Sequence, residues 1–67
     1  MLDKYIVAER INKMSAIYGT PKSFIAKEIG VTTGFISRLT SPNLLDGFII
    51  SEEKLILLDK FLSDRGF

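Results

Sequence analysis

The side chains of this sequence that could do chemistry are suited to binding rather than to catalysis. The 67 residues contain no His and no Cys, which excludes the usual nucleophile–base pairs, zinc ligands and thiol redox centres. An acid–base group that titrates near neutral pH would have to be a strongly perturbed carboxylate or lysine. Such perturbation needs deep burial, which a chain this short hardly provides. We therefore expect no enzymatic activity, no metal site and no cofactor.

One segment, residues 22–39, combines residue types at an informative spacing. Ala26 lies four residues before Gly30, and apolar or capping residues follow at fixed intervals: Val31, Thr32, Ile36 and Leu39. Two short helices that cross steeply need a small residue at their contact, and the turn between them needs a positive φ, which Gly adopts without strain. The spacing predicts a helix-turn-helix. The alternative is an ordinary helical hairpin whose apolar residues serve stability alone.

The stretch from Tyr18 to Leu39 resembles the phage Cro and repressor family of helix-turn-helix regulators, also called the XRE family. Three pieces carry the resemblance, about 22 residues of the 67: Tyr18-Gly19-Thr20, Ile25-Ala26-Lys27-Glu28-Ile29-Gly30-Val31 and Ile36-Ser37-Arg38-Leu39. The resemblance implies sequence-specific binding to duplex DNA, with the helix Thr33–Thr40 in the major groove and the preceding helix across the backbone. It is weaker beyond Ser41, which leaves the C-terminal architecture and the dimer geometry open.

Base contacts are expected from the side of the reading helix opposite the inward-facing Ile36 and Leu39. The candidates are Thr33, Gly34, Ser37, Arg38 and Ser41. Arg38 alone could bond guanine in a bidentate manner, so we expect it to read a base, with a phosphate contact as the alternative. Gly34 costs about 1 kcal/mol of helix propensity relative to Ala. Close approach of the backbone to DNA would explain that cost, and so would neutral drift.

Phosphate contacts are expected at the beginnings of two helices, from Thr20, Lys22, Ser23 and Thr32. Free N–H groups and the helix dipole favour an anion at these positions. Residues 1–43 hold six basic and three acidic side chains, whereas residues 44–67 hold three basic and five acidic ones. This charge imbalance indicates that the N-terminal part faces DNA. The positive electrostatic field is modest, so one copy should bind weakly.

The elements that must position these residues form a small all-α domain of four to five helices. Residues 2–17 are expected to form the first helix, with Val7, Ile11, Met14 and Tyr18 facing inward. The second helix spans about Pro21 to Ile29 with Thr20 as N-cap, and the third about Thr33 to Thr40 with Thr32 as N-cap, before Pro42 prevents continuation. We expect Phe35 to pack on the first helix or the connector, in preference to contacting DNA.

The C-terminal part is interpreted as a connector, residues 41–50, followed by a last helix that Ser51 caps. Residues 48–50 could form a short strand or a loop that fills the core. Apolar residues surround more of the last helix than one face can bury. Residues 44–67 are therefore expected to form a dimerisation element through Phe48, Ile50, Leu55, Leu58, Phe61 and Leu62. In the alternative, the connector folds back over the helix and buries the excess.

Together these features predict one domain, residues 1–67, that acts as a cytoplasmic phage or prokaryotic repressor. It would bind as a homodimer to an inverted repeat whose half-sites lie roughly 10 base pairs apart. No membrane is expected, since no apolar run exceeds four residues, as at 55–58. No small-molecule ligand is expected either, because a chain of 67 residues leaves little surface for such a site. The main rival is a protein-interaction module of the same shape, such as an antirepressor or a toxin-neutralising partner, which the net charge of +1 favours. A structural bundle from a larger assembly is a third interpretation.

Overall fold

The computed structural model describes residues 2–67 and contains five α-helices in that range. Their bounds are α1 Lys4–Tyr18, α2 Lys22–Ile29, α3 Thr33–Thr40, α4 Pro42–Leu45 and α5 Glu52–Ser63. The prediction of a small all-α domain is confirmed. Residues 48–50 are irregular, and nothing between residues 2 and 67 forms a strand. The short strand considered for 48–50 is therefore not formed. No helix in the described range is long and apolar enough to cross a membrane.

Three helices begin with a side chain that accepts a hydrogen bond from the first turn. Asp3 accepts from the Tyr5 N–H at 2.8 Å, Thr32 from Phe35 at 3.1 Å, and Ser51 from Lys54 at 3.3 Å. The predicted caps at Thr32 and Ser51 are confirmed. The prediction for α2 is wrong by one residue, because its N-cap is Pro21 rather than Thr20 and no side chain caps the helix.

Helices α1 and α2 end at glycines, and a proline follows the end of α3. Gly19 and Gly30 end α1 and α2 in the left-handed conformation, with φ of 65° and 76°. Ser41 follows α3, and Pro42 then begins the short helix α4. Pro suits this first helical position because its missing N–H would have no partner there. The connector thus contains a helix that its sequence did not indicate.

The core combines one stripe of α1 with the inner faces of the other helices. Val7, Ile11 and Met14 are buried as predicted, together with Ile25, Ala26, Ile29, Ile36, Leu39 and Leu45. Tyr18 departs from the prediction, since 67% of it is exposed. It is the last residue of α1, and its ring lies perpendicular to the Phe67 ring with the centroids 5.6 Å apart.

The residues expected to form a dimer interface belong instead to the core of the chain. Leu55, Leu58, Phe61 and Leu62 are each at most 7% exposed, and Phe48 and Ile50 are half-buried against the same core. Both α1 and α2 pack against α5, so more of its circumference is covered than a single face would allow. The chain itself therefore buries the four side chains of α5, mainly through α1 and α2 rather than through the connector that the alternative invoked. These four cannot form an exposed interface, and Phe48 and Ile50 keep only part of their surface accessible.

Long cationic side chains join α5 to the helices that cover it. Arg10 on α1 donates to Asp59 Oδ1 at 2.6 Å, to the Phe67 carbonyl at 2.6 Å and to Ser63 Oγ at 3.1 Å. The Arg65 guanidinium lies 3.8 Å from the centroid of the Phe61 ring and 3.6 Å from a Glu28 carboxylate oxygen on α2. These contacts fasten the C-terminal residues to the same framework that carries α2 and α3.

Candidate nucleic-acid interface

The orientation of α3 depends on its contact with α2 and on the three-residue turn between them. Ala26 is 2% exposed, so a small side chain sits where the helices pack. The Gly30 N–H bonds back to the Ala26 carbonyl, and Val31 N donates to the same oxygen at 2.9 Å. A Cβ on Gly30 would meet nothing within 4 Å. Glycine is therefore required here by its positive φ and not by lack of space.

The two sides of α3 differ sharply in exposure. Ile36 and Leu39 are completely buried, and the hydroxyl of buried Thr40 donates to the Ile36 carbonyl at 2.9 Å. The exposed residues of the helix are Thr33, Gly34, Ser37 and Arg38. Ser41 is half-buried just beyond the helix, where its carbonyl accepts hydrogen bonds from the N–H groups of Leu44 and Leu45. Four of the five candidate base-contact residues are thus exposed, and Ser41 is only partly accessible.

Gly34 has no partner in the chain that would require a glycine. A Cβ built there would come no closer than 3.7 Å to any neighbouring atom, the nearest being Thr32 Oγ1. This is an ordinary van der Waals contact, and φ at Gly34 is not positive. Neither packing nor backbone conformation therefore accounts for glycine at this position of α3.

An aromatic pair lies beside the exposed side of α3. Phe35 meets Phe48 of the connector edge to face, with ring centroids 5.0 Å apart, which confirms the packing predicted for Phe35. The guanidinium carbon of Arg38 lies 6.0 Å from the centroid of the same Phe48 ring. Sequence reasoning did not find this contact, because α4 and the following turn separate the two residues and only the folded connector brings them together.

The helix beginnings differ in how accessible their N–H groups are. No side chain caps α2, and both Lys22 and Ser23 are exposed at its first turn. The Thr32 hydroxyl oxygen, in contrast, already accepts the Phe35 N–H at the beginning of α3. Thr20 is half-buried, and its carbonyl accepts a hydrogen bond from Ser15 Oγ at 3.3 Å. Lys22 and Ser23 are therefore the better placed of the four candidate phosphate ligands.

Of the six basic residues counted toward the DNA-binding field, two are engaged inside the chain and a third forms an exposed ion pair. Arg10 bonds to the C-terminal residues, and the Lys4 ammonium donates to the carbonyls of Leu45, Asp46 and Phe48 at 2.7, 3.3 and 2.9 Å. Lys13 lies 3.8 Å from Glu9 in an exposed pair. Within residues 2–67, the cations of this set that are exposed and form no ion pair are Lys22, Lys27 and Arg38.

A separate groove of about 560 Å³ lies where α1 meets the end of α3 and the beginning of α4. Ala8, Ala16, Leu39 and Leu45 contribute to its lining. At one side of the groove Tyr5 donates a 2.6 Å hydrogen bond to Asp46 Oδ1, and this bond is the main cause that raises the pKa of the Tyr5 phenol above its ordinary value. The described residues contain no group of three or more carboxylates that could hold a metal ion.

No family model, curated protein or solved structure matches the chain. What the interface can do must therefore be inferred from its own residues. An exposed helix side with hydroxyl groups, one guanidinium and one glycine, next to an uncapped helix beginning with a lysine, can bind a polyanion that also carries hydrogen-bonding edges.

Proposed function

We propose that this chain binds duplex DNA in a sequence-specific manner and acts as a small transcriptional repressor of the phage or prokaryotic type. The observation that carries the proposal is the division of α3 into a buried side and an exposed side. Ile36 and Leu39 fix the helix in the core, while Gly34, Ser37 and Arg38 point to solvent without a partner helix over them. This leaves one helix free to enter a major groove while a second supports it.

Each exposed residue has a role that its chemistry suits. Arg38 would bond guanine with two parallel donors, and Thr33 and Ser37 would donate to or accept from base edges. Lys22 and Ser23 would hold a phosphate at the beginning of α2, where the N–H groups and the helix dipole favour an anion. Base contacts would give the sequence preference, and phosphate contacts would give most of the salt-dependent affinity.

We expect the active form to be a homodimer. Of the N-terminal cations in the described range, three are exposed and form no ion pair, namely Lys22, Lys27 and Arg38, so a single copy should bind loosely. Two copies would double the phosphate contacts and read an inverted repeat with half-site centres roughly 10 base pairs apart. The contact between copies would use residues other than the buried Leu58 and Leu62. Sedimentation at tens of micromolar, with and without operator DNA, tests this, and a protein that is monomeric in both conditions and protects one unrepeated half-site refutes it.

The decisive experiment is selection of bound sequences from random duplex DNA, followed by affinity measurements on variants. Arg38→Ala should cost roughly 1–3 kcal/mol on the preferred site and relax the preference at one base pair. Lys22→Ala should weaken binding to all sequences about equally and lower the salt slope by about one. Lys60→Ala is the matched control, because Lys60 is an exposed lysine on α5, outside the interface. If both interface variants bind like the control, α3 is not the reading helix.

The rival function, a protein-interaction module of the same shape, has one specific observation in its favour. The groove of about 560 Å³ beside α1 is a concave, mainly apolar surface, and the net charge of the chain is only +1. Apolar grooves of this size bind ligands or partner side chains. A column of immobilised duplex DNA separates the two functions. Retention at low salt that is lost as salt rises supports the repressor, and passage without retention supports the rival.

A further inference from the structure

Arg38 extends from α3 into solvent, and one ring of the chain lies close to its guanidinium. That ring belongs to Phe48, 6.0 Å from the guanidinium carbon. A cation over an aromatic face at this distance is attracted by the ring quadrupole. The contact leaves the remaining guanidinium N–H groups free, because residues 2–67 offer Arg38 no carboxylate partner.

The Phe48 ring is itself held from two directions. On one side Phe35 of α3 packs against it edge to face, with ring centroids 5.0 Å apart. On the other side the backbone that carries the ring is anchored to α1. Lys4 Nζ donates to the Phe48 carbonyl at 2.9 Å and to the Leu45 carbonyl at 2.7 Å, while Phe48 N donates to that same Leu45 oxygen at 3.1 Å. Lys4 thus uses its ammonium as a clamp on the connector.

We propose that Phe48, anchored by Lys4, is a positioning residue that preorients the Arg38 guanidinium for bidentate recognition of a base. The inference rests on the proposed DNA-binding function and adds two residues to it, neither of which touches DNA. An exposed arginine samples many rotamers, and binding must restrict them to one fork geometry. A fixed aromatic face that favours one of those rotamers before binding reduces the conformational entropy that is lost on binding, as preorganisation does in general.

The proposal predicts a specific coupling between Phe48 and Arg38. Phe48→Leu retains an apolar side chain in the connector but removes the π face. We expect it to reduce the preference for the selected base over its competitors about two- to fivefold, the contribution of an exposed cation–π contact. In an Arg38→Ala background, Phe48→Leu should change the preference no further. Phe24→Leu is the matched control, since it removes an aromatic ring 5.9 Å from a different arginine, Arg65.

A second variant covers the case in which Phe48→Leu does not fold. Lys4→Met retains the aliphatic stem but removes the three donors to the connector. It should lower the same base preference, whereas the loss of one positive charge by itself would weaken all sequences equally. The proposal is overturned if the base preference stays at the parent value in both Phe48→Leu and Lys4→Met. It is also overturned if Phe48→Leu reduces the base preference by the same factor in the Arg38→Ala background as in the parent.

A measurement without DNA separates this inference from the function on which it rests. Nitrogen-15 relaxation of the Arg38 Nε–H group reports the order of the guanidinium in the free protein. Order should fall in Phe48→Leu and in Lys4→Met and remain at the parent value in Phe24→Leu. If the parent protein binds no duplex at all, the proposed function is wrong, and the relaxation data still decide whether Phe48 orders Arg38. Unchanged order in both connector variants refutes the positioning role even if DNA binds.

Discussion

Replacing Gly34 by Ala should separate stability from DNA binding, because the chain itself gives no reason for glycine at this position. The nearest atom to an added Cβ is Thr32 Oγ1 at 3.7 Å, an ordinary contact, so the substitution introduces no strain. Ala in the middle of a helix is more stable than Gly by roughly 0.5–1 kcal/mol, and this is an upper bound for Gly34, the second residue of α3. For a domain of this size the gain raises the melting temperature by at most about 8 °C.

The same methyl group should weaken DNA binding if the backbone of α3 approaches the duplex closely at Gly34. Forcing one extra methyl into a filled contact costs about 1–3 kcal/mol, which corresponds to roughly a 5- to 150-fold weaker affinity. Thermal unfolding by circular dichroism and fluorescence anisotropy on the selected operator measure the two effects. Gly47→Ala is the control, since it adds a methyl group into open space outside α3.

Two results would refute this reasoning about Gly34. A Gly34→Ala protein that melts at a lower temperature than the parent would show that the local geometry of α3 is not as described. A protein that is stabilised but binds the operator with unchanged affinity would show that the helix backbone does not come close to DNA at this residue. Glycine there would then be neutral drift.

Three further predictions follow from the fold. Gly30→Val should destabilise the protein by about 1–3 kcal/mol in chemical denaturation, because a β-branched side chain is strained at a φ of 76°; a variant as stable as the parent would remove the turn assignment. Arg10→Ala should cost about 1–2 kcal/mol of stability through its lost hydrogen bonds. Lys13→Ala, which breaks only an exposed pair, should cost less than about 0.5 kcal/mol, and equal losses would contradict the stabilising role of the Arg10 contacts. In a Tyr18→Phe background, Asp46→Ala should lower the pKa of Tyr5, measured by ultraviolet titration. Because the pKa of Tyr5 is higher in the folded state than in the unfolded state, the protonated phenol contributes stability below the unfolded pKa, and this contribution is lost as the pH rises. The protein with Asp46 should therefore lose stability above about pH 10 more steeply than the Asp46→Ala variant.

The helix-turn-helix could be predicted from the sequence because its determinants are local. Gly30 needs a positive φ, Ala26 must be small four residues earlier, and the Thr32 side chain caps the next helix within three residues. Each rule acts over less than two turns of helix, so a linear pattern contains it. The position of exposed and buried residues on α3 follows from the same periodicity, once Ile36 and Leu39 are known to face inward.

The coverage of α5 could not be predicted in this way, because it depends on contacts between distant segments. The amphipathic pattern shows only that Leu55, Leu58, Phe61 and Leu62 need burial, and it does not say whether the chain or a second copy provides it. In the structure α1 and α2 both pack on α5, and the half-buried Phe48 and Ile50 pack against the same core, while Ile56 and Leu57 of α5 stay exposed. Helix α4 was missed for a related reason, since a four-residue helix after Ser41 leaves no periodic signal.

The internal contacts of Lys4 and Arg10 explain why a count of basic residues overstates the positive electrostatic field that so small a domain could offer to DNA. A chain of 67 residues buries little apolar surface per residue and must supplement its core with other contacts. Lys4 and Arg10 supply them, because a long side chain with several donors can satisfy backbone carbonyls that short loops leave exposed. A basic side chain whose cation is bound within the protein in this way is not available to neutralise a DNA phosphate and release its counterion. Under the proposed function, affinity would come from a second copy and from preoriented contacts such as that proposed for Arg38, and we then expect the positions of Phe48 and Lys4 to matter more than the net charge.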